Sequence, residues 1–135
     1  MSPDPIDILA RTIWGEARGD GRVGMEAVAS VVLNRVADPG WWGRDIVSVC
    51  QTPWQFSCWN KNNPNREKLL AVTGSDHSFT TALAVADAAV TGTLADTTGG
   101  ATSYYAESIP EPMWARGLTP TIIIGAQRFY RAPRI

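Results

Sequence analysis

Apolar residues recur at every third or fourth position through the start of this chain, in two runs separated by glycines, and that spacing commits it to a helical core. Ile6, Leu9, Ala10, Ile13 and Ala17 mark the first stripe. Asp4 can cap the run, Pro5 suits a first helical position, and Asp7 lies where a helix start favours negative charge. Gly19 and Gly21 end it. The second run covers residues 22–36. Met25, Val28, Val31, Val32, Leu33 and Val36 go most of the way round it, which predicts a central, buried helix. Asp38-Pro39-Gly40 stops it.

Residues 41–64 are irregular and aromatic, with Trp41, Trp42, Trp54, Phe56 and Trp59. A short helix is expected over 43–49. Residues 60–66, rich in Asn with a Pro and two basic residues, read as an exposed loop, and a short helix is expected over 67–72. A third long helix starts at Ser75 or Asp76 and runs to Val90, with Phe79, Ala82, Leu83, Ala86 and Val90 on one face; Gly92 ends it. Residues 102–106 and 120–130 are β-branched and aromatic, the latter broken by Gly125, and read as short antiparallel strands. The expected fold is α+β and mainly helical, three or four helices with a small antiparallel sheet, in one domain over residues 1–135.

Composition narrows the function. The chain has 135 residues, 44% hydrophobic and 19% charged, enough for a core without disulfides or metals. A formal net charge of -1 gives no basic face for nucleic acid. No apolar run approaches the roughly 20 residues of a membrane span. The opening lacks a basic stretch followed by a long apolar one, so it does not read as a signal peptide; the protein stays in the cytoplasm or is carried out by something else. A single His, His77, and no clustered Cys or His argue against structural zinc. Cys50 and Cys58 have two open readings: a disulfide closing a short loop, or two reduced thiols packed as small apolar residues. Six tryptophans and three tyrosines also have two: core filling, favoured for any single ring, or flat platforms for the C–H faces of sugars.

One residue breaks the first stripe. At about 100° per residue, Glu16 falls about 20° from Leu9, one turn beyond Ile13. A carboxylate on a core-facing edge is costly unless paired or protonated, and a carboxyl held there near a helix end suits a general acid. The plain alternative, favoured by spacing alone, is that Glu16 pairs with Arg11, Arg18 or Arg22 and steadies the helix end. Asp7, Asp38, Glu67, Asp76 and Glu111 look like caps, turn residues or solvated positions. Glu26, on the second helix, is the runner-up.

The stretch IWGEARGDGRVGMEAVASVVLNRV resembles the opening of the SleB/CwlJ-type cell-wall hydrolase family, which includes spore cortex-lytic enzymes and phage lysins. Its Glu-Ala-Arg-Gly segment is here Glu16-Ala17-Arg18-Gly19, leading to Asn34-Arg35-Val36. Gln55-Phe56-Ser57, the run DTTGGATSYYA, and Pro112, Trp114 and the ending IGAQRFYR resemble later segments, in order and over nearly the whole chain. There are departures. Thr97 stands where Pro is usual, Gln127 where His is usual, and Ser103 where a larger residue or His is common. Gln127 can still donate and accept hydrogen bonds.

The resemblance implies a fold like lysozyme and the lytic transglycosylases, and it reverses the plain reading of Glu16, which it makes the acid that protonates the glycosidic oxygen. It implies that Gln55, Phe56, Ser57, Tyr104 and Tyr105 line the glycan groove; a packed strand edge is the alternative for the two tyrosines. Hydrolytic glycosidases normally need two carboxyl groups, and the sequence offers one strong candidate. Transglycosylase chemistry, which needs one, is therefore favoured over a hydrolytic muramidase or glucosaminidase, with no cofactor or metal. The partner implied is the peptidoglycan glycan strand, met by a monomer at the bacterial wall. A compact chain of this kind suits a phage endolysin released by a partner holin, or a bacterial enzyme without its leader. A module that holds glycan without cutting it is the rival class, and a small interaction protein with an aromatic patch is a third.

Overall fold

The computed structural model describes residues 4–53 and 55–132; Trp54, one of the aromatics singled out above, lies outside the described residues. Helix α1, Pro5–Ala17, starts at the Asp4 cap, whose side chain accepts from the Ile6 N–H. A single 3-10 turn, Arg18–Asp20, joins it to α2, Gly21–Ala37. Gly21 takes φ 70°, a left-handed conformation that lets the chain reverse directly into the next helix.

The shorter helices depart from expectation, and in each case a cap decides. Helix α3 spans Ile46–Gln51 and not 43–49, because Asp45 and Ser48 form a reciprocal capping box. Helix α4 spans Pro64–Ala71, so part of the expected loop is helical: Asn63 caps it, accepting from Asn65, and Pro64 occupies the first turn. Helix α5, His77–Val90, begins after the Asp76 cap. There are thus five α-helices among the described residues, against the three or four expected.

Strands β1 (Ser103–Ala106), β2 (Ile122–Ile124) and β3 (Gln127–Tyr130) form an antiparallel sheet in the order β1-β3-β2. Gly125, at φ 57°, makes the tight connection between β2 and β3. The register pairs Tyr104 with Phe129 and Ile122 with Phe129.

Helix α2 is the central element the spacing predicted. Its Met25, Val28, Ala29 and Val32 join the main core with Leu9 and Ile13 of α1 and Val85 and Ala86 of α5. Ala27 and Val31 turn the other way, to meet Ala101 and Phe129 under the sheet. A helix packed on both sides has no polar face to spare, which is why it is apolar nearly all round. No helix among the described residues is long and apolar enough to cross a membrane.

Candidate active site

Glu16 is the penultimate residue of α1 and is half-buried. The three arginines that spacing offered as its partners are each engaged elsewhere. Arg11 pairs with Asp7 at 2.9 Å and donates to the Val72 carbonyl at 3.1 Å. Arg18 lies 4.2 Å from the Trp14 ring centroid and donates to Asn65 at 2.8 Å. Arg22 pairs with Glu26 at 3.4 Å, which also occupies the runner-up carboxylate.

Glu16 is met instead by a side chain from the sheet. The Tyr104 hydroxyl donates to Glu16 Oε1 at 2.8 Å. Burial, then the nearby carboxylate, pushes the Tyr104 phenol well above its ordinary ionisation range, so it remains a proton-bearing donor. Its ring stacks on Phe129, with centroids 5.3 Å apart, which fixes the hydroxyl's direction.

The loop before β1 sets where Tyr104 arrives. The Asp96 carboxylate accepts from the Thr98 N–H and hydroxyl, both at 2.7 Å, and from the Gly100 N–H at 2.8 Å. Asn34, on α2, donates to the Ala101 carbonyl at 2.8 Å and ties this loop to the central helix. Gly99 and Gly100 have φ 68° and 85°, so the turn calls for the conformational freedom of glycine.

Two cavities share Glu16 and Tyr104 as a common wall. The larger, about 500 Å³, is also lined by Arg35, Trp41, Gln55, Phe56, Ser103 and Trp114. The smaller, about 240 Å³, is mostly apolar, with Val23, Val28, Ile124 and Phe129, and its further polar side chains are Asp20 and Gln127. Gln55, Phe56 and Tyr104, named from the sequence, thus gather around Glu16. Ser57 is exposed at the start of a 3-10 turn and lines neither cavity. Tyr105 lines neither cavity; it stacks on Tyr130 at 5.7 Å and meets the Trp114 ring edge-on at 6.0 Å. Of the three departures noted in the sequence, Ser103 is in the larger cavity, Gln127 is in the smaller, and Thr97 lines neither.

The tryptophans divide as well. Trp14, Trp42 and Trp59 are core or half-buried rings whose N–H groups find acceptors in Asp76, the Arg35 and Asp38 carbonyls, and Thr12. Trp41 and Trp114 are 53% and 39% exposed and both line the larger cavity.

Arg35 was not singled out by chemistry in the sequence, although a cation inside the apolar run of α2 is a signal of the same kind as Glu16. It is 5% exposed, donates through Nε to the Thr102 carbonyl at 2.6 Å, and lies 5.2 Å from the Phe56 ring and 5.5 Å from the Trp42 ring. Its Nη1 has no hydrogen-bond acceptor among the described residues. Burial lowers its proton affinity, while Tyr104 and Cys50 oppose that.

Cys50 and Cys58 are both buried, with their thiols free in this structure. Gly15 lets Cys58 press against α1; a Cβ there would lie 2.9 Å from its Sγ. Burial raises both thiols, Cys50 to about 12, and Glu16 adds to the effect at Cys58.

The chain is similar to known proteins in both sequence and fold. A family model described as Cell Wall Hydrolase matches residues 19–130. A stretch of 38 residues is 47% identical to a spore cortex-lytic enzyme of Halalkalibacterium halodurans, covering 28% of this chain and only 12% of that enzyme's length. The catalytic domain of the germination-specific lytic transglycosylase SleB from Bacillus anthracis superposes with a TM-score of 0.73 at 25% identity, over 96% of each chain. The catalytic domain of Bacillus cereus SleB gives 0.70 at 23% identity, over 93% of this chain and 88% of that one. The fold is therefore the lysozyme-like fold of those domains.

Proposed function

The chain belongs to the cell wall hydrolase family, and from that premise we propose that it cuts peptidoglycan glycan strands at the MurNAc–GlcNAc β-1,4 bond, with Glu16 as sole acid and base. The observation that carries this reading is the position of Glu16 in the shared wall of two cavities, with Tyr104 donating to one of its oxygens. A phenol on Oε1 leaves Oε2 to carry the proton and fixes the plane of the carboxyl.

In this mechanism Glu16 gives its proton to the glycosidic oxygen as the bond to the muramyl C1 breaks. The muramyl 6-hydroxyl then attacks C1, and its proton returns to Glu16. The products are a free 4-hydroxyl on one sugar and a 1,6-anhydro ring on the other, with no water consumed. The B. anthracis relative is described as a lytic transglycosylase, which supports the same chemistry here. Gln55 and Phe56 contact the glycan in the larger cavity. Residues 1–135 act as one catalytic domain and as a monomer, at the bacterial wall where the substrate lies.

The hydrolytic reading has one observation in its favour: a second carboxylate, Asp20, lines the smaller cavity with Glu16. Glu26, the competitor suggested by the sequence, is paired with Arg22 and lines neither cavity. Mass spectrometry of purified sacculi digested in ¹⁸O-labelled water separates the two. The proposed chemistry gives fragments about one water lighter than hydrolytic ones, with no label. Reducing muramic acid ends carrying ¹⁸O would establish hydrolysis instead.

A further inference from the structure

Asp20 is the N-cap residue of α2, yet its side chain makes no capping hydrogen bond. The other four α-helices all have caps that do: Asp4, Asp45, Asn63 and Asp76 each accept from a backbone N–H of the first turn. An Asp in a capping position that leaves its helix uncapped forgoes the usual reason for its presence. Asp20 is exposed, and its side chain packs over Gly24, where any Cβ would collide with that of Asp20. The glycine therefore makes room for this placement.

Asp20 belongs to the wall of the smaller cavity. That cavity combines an apolar lining (Val28, Ile124 and Phe129 among it) with a few polar groups, Glu16, Tyr104, Gln127 and Asp20. Such a lining matches a sugar ring, which has C–H faces and hydroxyl edges. A carboxylate there can accept hydrogen bonds from the hydroxyls at such an edge.

We propose that Asp20 is a substrate-binding residue: it accepts a hydrogen bond from a hydroxyl of the sugar seated in the smaller cavity and holds that ring beside Glu16. The proposal rests on the glycan-cleaving reading above and adds a residue that the sequence motifs did not point to. Asp20 moves no proton in this scheme. Its contribution is to ground-state binding and register along the strand.

The test uses two arms. In the first, Glu16→Gln and the double variant Glu16→Gln/Asp20→Ala are pelleted with purified sacculi, so that binding is read without cleavage. Loss of a hydrogen bond to a charged acceptor should weaken binding roughly tenfold. In the second, Asp20→Ala and Asp20→Asn are assayed in the active chain. Asp20→Ala should raise KM about tenfold with kcat within a few-fold and products unchanged, and Asp20→Asn, whose amide oxygen still accepts, should lose less. Melting temperatures should not move, since no cap is lost. Unchanged pelleting and KM in Asp20→Ala would overturn the proposal. So would a collapse of kcat in Asp20→Asn as deep as that of Glu16→Gln, because Asp20 would then be moving a proton. If the wild-type chain releases no glycan fragments, the cleavage reading fails, while the pelleting arm still decides whether Asp20 holds the strand.

Discussion

Glu16 and Tyr104 stand 88 positions apart and meet at 2.8 Å. The first was legible as a carboxylate on an apolar stripe, because a break in a period needs only local sequence. The second was legible only through resemblance, because its partner depends on how a strand returns to a helix end. Asp20 left no trace: an acid in a Gly-rich turn is ordinary, and only the missing cap bond and the cavity make it unusual. Tyr104→Phe isolates the phenol. The ring's stacking on Phe129 survives, so the fold should persist, with a melting temperature lowered only by the lost hydrogen bond. A hydrogen bond to a charged group is worth roughly 1.5–3 kcal/mol, so kcat should fall about tenfold or more with KM little altered. A variant with wild-type kcat would show that Glu16 does not depend on Tyr104.

The long helices followed from periodicity, and α2 ran all but as expected because its burial on two sides is written into every turn. The short ones were misplaced by a few residues. Helices of six and eight residues have too few turns to show a period, and their starts are set by single side chains, Asp45 with Ser48 and Asn63 with Pro64. The loop into β1 is governed in the same way by Asp96. Partial burial alone would raise that carboxyl, but the donors of Thr98, Gly100 and Asn34 outweigh it and hold it below the usual range. A depressed carboxyl stabilises the fold at pH above its unfolded value of about 3.9, and the contribution fades as pH falls through the folded value. Asp96→Ala should therefore lower stability by about 1 kcal/mol near neutrality, and the gap to wild type should narrow below about pH 4. Thermal melts across that range check it; a gap that stays constant with pH would remove Asp96 from this role.

At the scale of the whole molecule, α2 stands between a helical core and a small sheet, and the two cavities lie where the end of α1 meets that sheet. The fold class could be read from the order of patterns, helical first and strand-like last. The cavities could not, since they are lined from both ends of the chain at once: Asp20 and Val23 with Ile124 and Phe129, Arg35 and Trp41 with Trp114. Glu16 is the residue on which the proposed chemistry turns, and replacing it with the isosteric amide is the most direct trial. Glu16→Gln keeps the shape and can still accept from Tyr104, but it has no carboxyl proton to give. The rate of sacculus lysis by this variant should fall at least about a hundredfold, with the melting temperature essentially unchanged. Lysis within about twofold of the wild-type rate would contradict the assignment of Glu16 as the acid.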